Sequence, residues 1–156
     1  MANIRYAEQM QEEGVNLIFG VPGLKVHCKT CVIEREEEGK LKRYGFISTG
    51  NFNENTSRLY TDYTLFTADA AILKEIDMVF EFFETNYKVN KYKHLIVSPH
   101  YTRNVIYSLI QAEIDNAKNG KPAGIRLKLN SLSDNGVIDK LYMASKAGVK
   151  IKLIVW

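Results

Sequence analysis

The sequence predicts an α/β protein in which strands of mixed direction are flanked by helices. Three observations carry that expectation. Beyond residue 93, apolar runs of strand length alternate with amphipathic stretches, the pattern of βαβ units and a parallel sheet. Between residues 25 and 49, two alternating segments flank the charged run Glu36-Glu37-Glu38-Gly39-Lys40, which reads as the solvated turn of an antiparallel hairpin. One arrangement also occurs twice: a helix end, a glycine and an apolar strand fill residues 10–19, and the same order returns at residues 143–155.

Taken in order, residues 3–13 form a first helix with acidic and amide side chains outward, stopped by Gly14. Residues 15–21 are a nearly unbroken apolar run, expected as a strand buried on both faces, and Pro22-Gly23 turns the chain. Residues 25–35 alternate as a second strand, 43–49 return antiparallel to it, and 60–66 read as a further strand. Over 68–85, Ile72, Ile76, Val79, Phe80 and Phe83 recur at helical spacing. Residues 86–93 are polar, basic and aperiodic, the signature of a linker. Then follow a strand at 94–98, a helix at 101–118 closed by Asn119-Gly120, a strand at 124–130, a helix at 135–147 closed by Gly148, and a strand at 149–155.

Composition narrows the class. A chain of 156 residues, 46% hydrophobic and 25% charged, suits one ordinary domain or two half-domains of a soluble protein. A net charge of +3 gives no broad polybasic field, so nucleic acid is not an expected partner. Local cationic clusters stand at Lys40, Lys42 and Arg43, and at Lys88, Lys91 and Lys93. No apolar run reaches the ~18 residues of a membrane span, and the N-terminus lacks a signal pattern, so a cytoplasmic location is expected. Cys28-Lys29-Thr30-Cys31 is formally a Cys-x-x-Cys, but in a strand the two thiols face opposite sides, and no second ligand pair completes a zinc site.

The chemistry concentrates at His27 and Lys29. On a strand, residues i and i+2 share a face about 6–7 Å apart, so an imidazole and an ammonium point into one space. Imidazole is a covalent nucleophile toward phosphorus, and lysine supplies fixed positive charge. The returning strand brings Gly50, Asn51 and Asn53 back beside them, and asparagine amides donate to non-bridging phosphate oxygens. Phosphoryl transfer needs little more than such positioning and charge stabilisation. The same Gly-Asn-x-Asn run also fits a turn that caps its own backbone. Tyr60 and Tyr63 equally fit a packed core with bonded hydroxyls. His94 and His100, at the ends of an expected strand, read as structural.

The runs Pro22-Gly23-Leu24-Lys25-Val26-His27-Cys28-Lys29, Ser48-Thr49-Gly50-Asn51-Phe52-Asn53-Glu54-Asn55-Thr56 and Arg58-Leu59-Tyr60-Thr61-Asp62-Tyr63 resemble the catalytic core of the long-chain polyphosphate kinase family. The resemblance continues through 65–69, 95–99 and 128–132. It implies a phospholipase D-like α/β fold and a reversible transfer of the terminal phosphate of ATP to polyphosphate through a phosphohistidine. By motif, His27 falls on the phosphorylated histidine, Tyr60 on the tyrosine that contacts the nucleotide base, and Lys29, Asn51 and Asn53 on phosphate-contacting positions. Glu34 stands where the wider phospholipase D pattern has an aspartate and receives no role. Arg103 and Asn130 match recurring family positions, for polyphosphate binding or for organising a second half-site.

The resemblance further implies a first catalytic domain over 1–90 and the beginning of a second over 91–156, that is, one half-site plus the start of another repeat. It places the arginines associated with Mg²⁺ and phosphate ahead of Met1, so Mg²⁺ ligands are expected outside this chain, and Trp156 takes the place of an arginine of the nucleotide site. The expected partners are ATP, ADP, polyphosphate and the remaining domains of a longer kinase, with the isolated chain inactive. Homo-oligomerisation stays open. Two other readings remain at this level: a phospholipase D-type phosphodiesterase completed by dimerisation, and a non-catalytic polyanion-binding module.

Overall fold

A computed structural model describes residues 2–85 and 88–156 of the chain, which forms two compact units, Met1–Leu95 and Ile96–Trp156.

The first unit opens with α1 (Ala2–Glu12). Its end is a Schellman cap: Gly14 adopts φ 82°, its N–H donates to the Gln11 carbonyl, and the Val15 N–H reaches the Met10 carbonyl at 3.0 Å. The strand expected at 15–21 does not form. Residues 15–20 pair with nothing among the described residues, and Val21 makes only an isolated bridge to Leu24. A strand exists only where a neighbour accepts its backbone groups; without one, this apolar run leaves Phe19 74% exposed.

A three-stranded antiparallel sheet follows, built from β1 (Lys29–Glu37), β2 (Lys40–Ser48) and β3 (Thr64–Thr67) in the order β1-β2-β3. The hairpin turn is tighter than the charge run suggested. Only Glu38 and Gly39 lie outside the ladder, with φ of 53° and 71°, the left-handed pair of a type I′ turn whose twist matches the strands it joins. At its other end β1 starts at Lys29 rather than Lys25, because its partner stops at Ser48, directly opposite. His27 therefore stands just before the ladder. β3 is likewise shorter than the expected 60–66 segment, since it pairs only with Gly45–Ser48 of β2.

After the short helix α2 (Glu54–Ser57), the helix α3 (Ala70–Glu84) begins at Asp69, whose carboxylate accepts from the Ala71 and Ile72 N–H groups at 2.9 and 3.0 Å. It buries Leu73, Ile76 and Val79 against the sheet, and full burial of such side chains contributes roughly 1.5–3 kcal/mol each. Gly45 of β2 lets it approach: a Cβ there would lie 2.6 Å from Leu73 Cδ2 and from the Cys31 carbonyl oxygen. Arg43 shares that face and pairs with Asp77 of α3 and Glu34 of β1. Lys42 points the other way and pairs with Glu37 at 3.1 Å. The cationic cluster expected at residues 40–43 is thus split between two faces, its Lys42 and Arg43 charges matched by carboxylates.

Side chains alternate, so Tyr44, Phe46 and Ser48 of β2 occupy the face away from α3, together with their register partners Ile33, Cys31 and Lys29, and with Phe66 and Thr64 of β3.

Of the expected linker, residues 86 and 87 lie outside the described residues and 88–93 are irregular. Its end is held by Glu75, a buried α3 carboxylate, which accepts from the backbone N–H groups of Lys93 (2.7 Å), His94 (3.0 Å) and Leu95 (2.8 Å) and lies 3.1 Å from His94 Nδ1. Residues 94–98, expected as a strand, instead spend their first N–H groups on this carboxylate and have no strand partner among the described residues.

The second unit runs α4 (Thr102–Lys118), β4 (Gly124–Leu129), α5 (Asn135–Lys146) and β5 (Lys150–Val155), close to the expected boundaries, and β4 and β5 pair in parallel. Ile110 and Ile114 of α4 meet Leu141 and Ala144 of α5 and Val149, with Ile125, Leu127 and Ile151 packed from the sheet. Both helices end in the cap seen at Gly14: Gly120 at φ 68° and Gly148 at φ 95°, each followed by a residue whose N–H reaches back five positions. The sequence repeat thus survives as a repeated cap, while only its second strand finds a partner.

Candidate active site

Lys29 opens β1, and its ammonium folds back onto His27, donating to the His27 carbonyl at 2.6 Å and lying 3.2 Å from Nδ1. The expected sharing of one space by the two side chains is therefore present. An ammonium only donates, so Nδ1 is the acceptor in this contact. The ring is exposed. Between the two residues, burial pushes the Cys28 thiol up, against the lowering effects of a backbone hydrogen bond and of Lys29. It stays protonated at neutral pH and does not compete as a nucleophile.

The register sets Ser48 across from Lys29. Its hydroxyl accepts from the Gly50 N–H at 3.1 Å and lies 2.9 Å from Thr64 Oγ1, which turns the chain out of β2 into the loop 49–53. Two further contacts fix that loop. The Thr49 hydroxyl donates to Asp62 Oδ1 and accepts from the Tyr63 N–H, both at 3.0 Å. Asp62 then lies against the Gly50 backbone so closely that a Cβ on Gly50 would sit 2.5 Å from Oδ2. Glycine is required there by the approach of a carboxylate.

Phe52 packs edge-on against Phe46, with centroids 5.2 Å apart, and Phe46 makes a similar contact with Phe66. Because Phe46 lies on the face that carries Lys29, the ring of Phe52 pins the Asn51-Phe52-Asn53 segment over that face. Asn53 is the N-cap of the short helix α2 (Glu54–Ser57): its Oδ1 accepts from the Asn55 and Thr56 N–H groups at 3.1 Å. The turn-capping reading of Asn53 thus holds, and it leaves the amide nitrogen as the donor end. Asn51 is exposed, and its carbonyl accepts from the Asn53 N–H at 2.9 Å. Tyr60 follows α2, half exposed, on the segment leading to β3. Glu34 sits on the opposite face of the sheet, paired with Arg43, away from Lys29.

Sequence reasoning passed over Ser48, Thr49, Asp62 and the Phe46–Phe52 contact. All lie in or beside the runs quoted above, but their roles depend on strand register. Among the described residues no three His, Cys, Asp or Glu side chains converge as a metal site.

In the second unit, Arg103 pairs with Asp134, whose other oxygen caps α5 by accepting from the Val137 N–H at 3.0 Å. That N–H, then Arg103, holds the Asp134 carboxyl below its ordinary range. Arg103 here organises the start of α5, beside an open recess of about 590 Å³ also lined by Tyr107, Ser133 and Asn135. Asn130 lies in the turn between β4 and α5.

Known proteins share the sequence and fold of this chain. The family pattern described as "Polyphosphate kinase C-terminal domain 1" matches residues 1–89, and that described as "Polyphosphate kinase C-terminal domain 2" matches residues 95–156. Polyphosphate kinases of Escherichia coli (strain K12) and Salmonella typhimurium (strain LT2) are each 50% identical over 154 residues, covering 99% of this chain and 22% of the relative. A crystal structure of the polyphosphate kinase from Porphyromonas gingivalis superposes with a TM-score of 0.85 at 39% identity, over 98% of this chain and 24% of that one. The α/β fold expected of a phospholipase D-like core is the fold shared with that enzyme. The chain spans about a fifth of the length of these curated relatives. With both C-terminal domain patterns matched, it belongs to the polyphosphate kinase family.

Proposed function

We propose that this chain contributes a phosphoryl-transfer half-site to a longer polyphosphate kinase, with His27 as nucleophile. The observation that carries the reading is the joining of His27, Lys29 and the Asn51–Asn53 loop on one end of the sheet, described above. The lone-pair nitrogen of the His27 imidazole attacks the terminal phosphorus of ATP. A nitrogen–phosphorus bond forms, the bond to the bridging oxygen breaks, and ADP leaves with that electron pair. The terminal oxygen of a polyphosphate chain then attacks the phosphohistidine, the nitrogen–phosphorus bond breaks, and the chain is one phosphate longer. Each step is reversible.

Lys29 neutralises charge on the equatorial oxygens, and an arriving phosphate competes with His27 Nδ1 for the ammonium. The Asn53 amide, held by its capping bonds, donates in a fixed direction without reorganising. Asn51 supplies a second amide donor, and Tyr60 offers its ring to the nucleotide base. Mg²⁺ travels with ATP in this reading, and its further ligands lie outside the described residues. The remaining partners are ADP, polyphosphate and the other domains of the kinase, and the location is cytoplasmic.

The isolated chain is inactive in this reading. Phe52 and Phe66, each 76% exposed, lie on the uncovered side of the first sheet.

The test is a chimera in which this chain replaces the aligned segment of the Escherichia coli relative. With ATP and Mg²⁺ the chimera forms polyphosphate and an acid-labile, base-stable phosphoprotein, and the isolated chain forms no polyphosphate. His27→Ala abolishes both signals in the chimera. Retention of the phosphoprotein in His27→Ala would refute the nucleophile assignment.

A further inference from the structure

In the second unit both helices pack on one side of the β4–β5 pair, through Ile125, Leu127 and Ile151. The alternate residues form the other face, and all are exposed: Gly124, Arg126 and Lys128 on β4, and Lys150, Lys152 and Ile154 on β5. The parallel register sets Arg126 beside Lys152, with Lys150 one pleat before and Lys128 one pleat after. Four cations thus make a short diagonal band, with about 7 Å between successive residues along a strand and about 5 Å between strands. Neither strand carries a carboxylate.

Elsewhere the picture differs. Lys42, Arg43, Arg58 and Arg103 each face a carboxylate. Among the described residues, no ion pair reaches Arg126, Lys150 or Lys152. Like charges directly opposite one another destabilise a sheet, and a bound polyanion removes that repulsion. An open cationic strip of exposed residues suits a linear chain bearing a charge on every unit better than a compact anion. Inorganic polyphosphate is the linear polyanion that fits the family to which the chain belongs, and Trp156, 86% exposed directly after β5, is a ring beside the strip on which a nucleobase could stack, so an oligonucleotide arm in the test separates the two.

We propose that the exposed face of β4–β5 is a docking track for linear polyphosphate, contacting its phosphates through Arg126, Lys150 and Lys152 with Lys128 continuing the row. The inference rests on the polyphosphate kinase reading, but its test reads binding alone and so does not depend on His27 chemistry.

Linear polyphosphate of defined length is titrated into the whole 156-residue chain at salt concentrations from 50 to about 300 mM, with the association constant followed by calorimetry. The Arg126→Gln/Lys150→Gln/Lys152→Gln variant is expected to lower the log–log salt slope by about 2, at about 0.7 per lost phosphate contact, and to weaken binding at least tenfold at the low end of that range. Lys152→Gln alone lowers the slope by about 0.7, which keeps the test available should the triple variant misfold. Lys29→Gln leaves that part of the slope in place. An unchanged slope and affinity in the charge variants overturns the track. Equal displacement of polyphosphate by a single-stranded oligonucleotide of the same total charge overturns its assignment to polyphosphate.

Discussion

Replacing Glu75 by alanine removes the one carboxylate that closes three backbone N–H groups at the end of the connector. Hydrogen bonds to a charged acceptor contribute about 1.5–3 kcal/mol each, but the N–H groups of Lys93 and His94 sit on exposed residues and recover part of that from water. Removing a buried charge also returns its desolvation cost, so the net loss is about 2–4 kcal/mol. For a unit of 95 residues that corresponds to a fall in Tm of roughly 10–20 °C. Glu75→Gln is informative beside it. One of its terminal atoms becomes an NH₂ donor facing either the Lys93 and His94 pair or the His94 and Leu95 pair, so it destabilises despite its matching shape.

The pH dependence of the same carboxylate has a definite sign. Desolvation pushes Glu75 up, but the N–H groups of Lys93, Leu95 and His94 together outweigh it and hold the carboxyl below its ordinary 4.5. A depressed carboxyl binds fewer protons folded than unfolded, so its stabilisation is fully present above about pH 4.5 and is lost as pH falls through the lower folded value. Thermal melts of the parent and Glu75→Ala chains, followed by circular dichroism from pH 7 downward, are expected to draw together as pH falls below about 4.5. A Glu75→Ala chain melting within a degree or two of the parent at pH 7, or a Glu75→Gln chain as stable as the parent, refutes the clamp.

Two further outcomes follow from local geometry. Gly45→Ala brings a Cβ to 2.6 Å from both the Cys31 carbonyl and Leu73 Cδ2; the carbonyl belongs to the ladder and cannot move cheaply, so denaturant unfolding should report a loss of about 1–3 kcal/mol. In the hairpin, hydrogen bonds from Lys42, then Tyr44 and Arg35, lower the Glu37 carboxyl to about 2. Its contribution to hairpin order is therefore present above pH 4.5 and lost as pH falls toward 2, which a carboxyl-carbon NMR titration of Glu37 checks directly.

Much of this protein was legible from residue order because the relevant interactions are local. The caps at Gly14, Gly120 and Gly148 each satisfy backbone groups within a turn of helix, so short windows of sequence contain them. His27 and Lys29 meet because they are two residues apart, and Asn53 caps α2 for the same reason. Register and partner choice are not local. Residues 15–21 and 94–98 have strand composition yet join no sheet among the described residues, and the buried carboxylate of Glu75, looking like a helix surface residue in sequence, takes N–H groups that a strand at 94–98 would have offered to a neighbour. Lys40, Lys42 and Arg43 look like a patch in sequence and are divided by the pleat, whereas Arg126 and Lys152 look unrelated and become neighbours. The sequence by itself determined the longer helices, their glycine stops, the hairpin and the closeness of His27 to Lys29, since these rest on covalent proximity. Only the tertiary structure decided which strands exist, which face Lys29 shares with Phe46 and Phe52, and where uncompensated positive charge gathers, since each depends on groups distant in the chain being brought within a few ångströms.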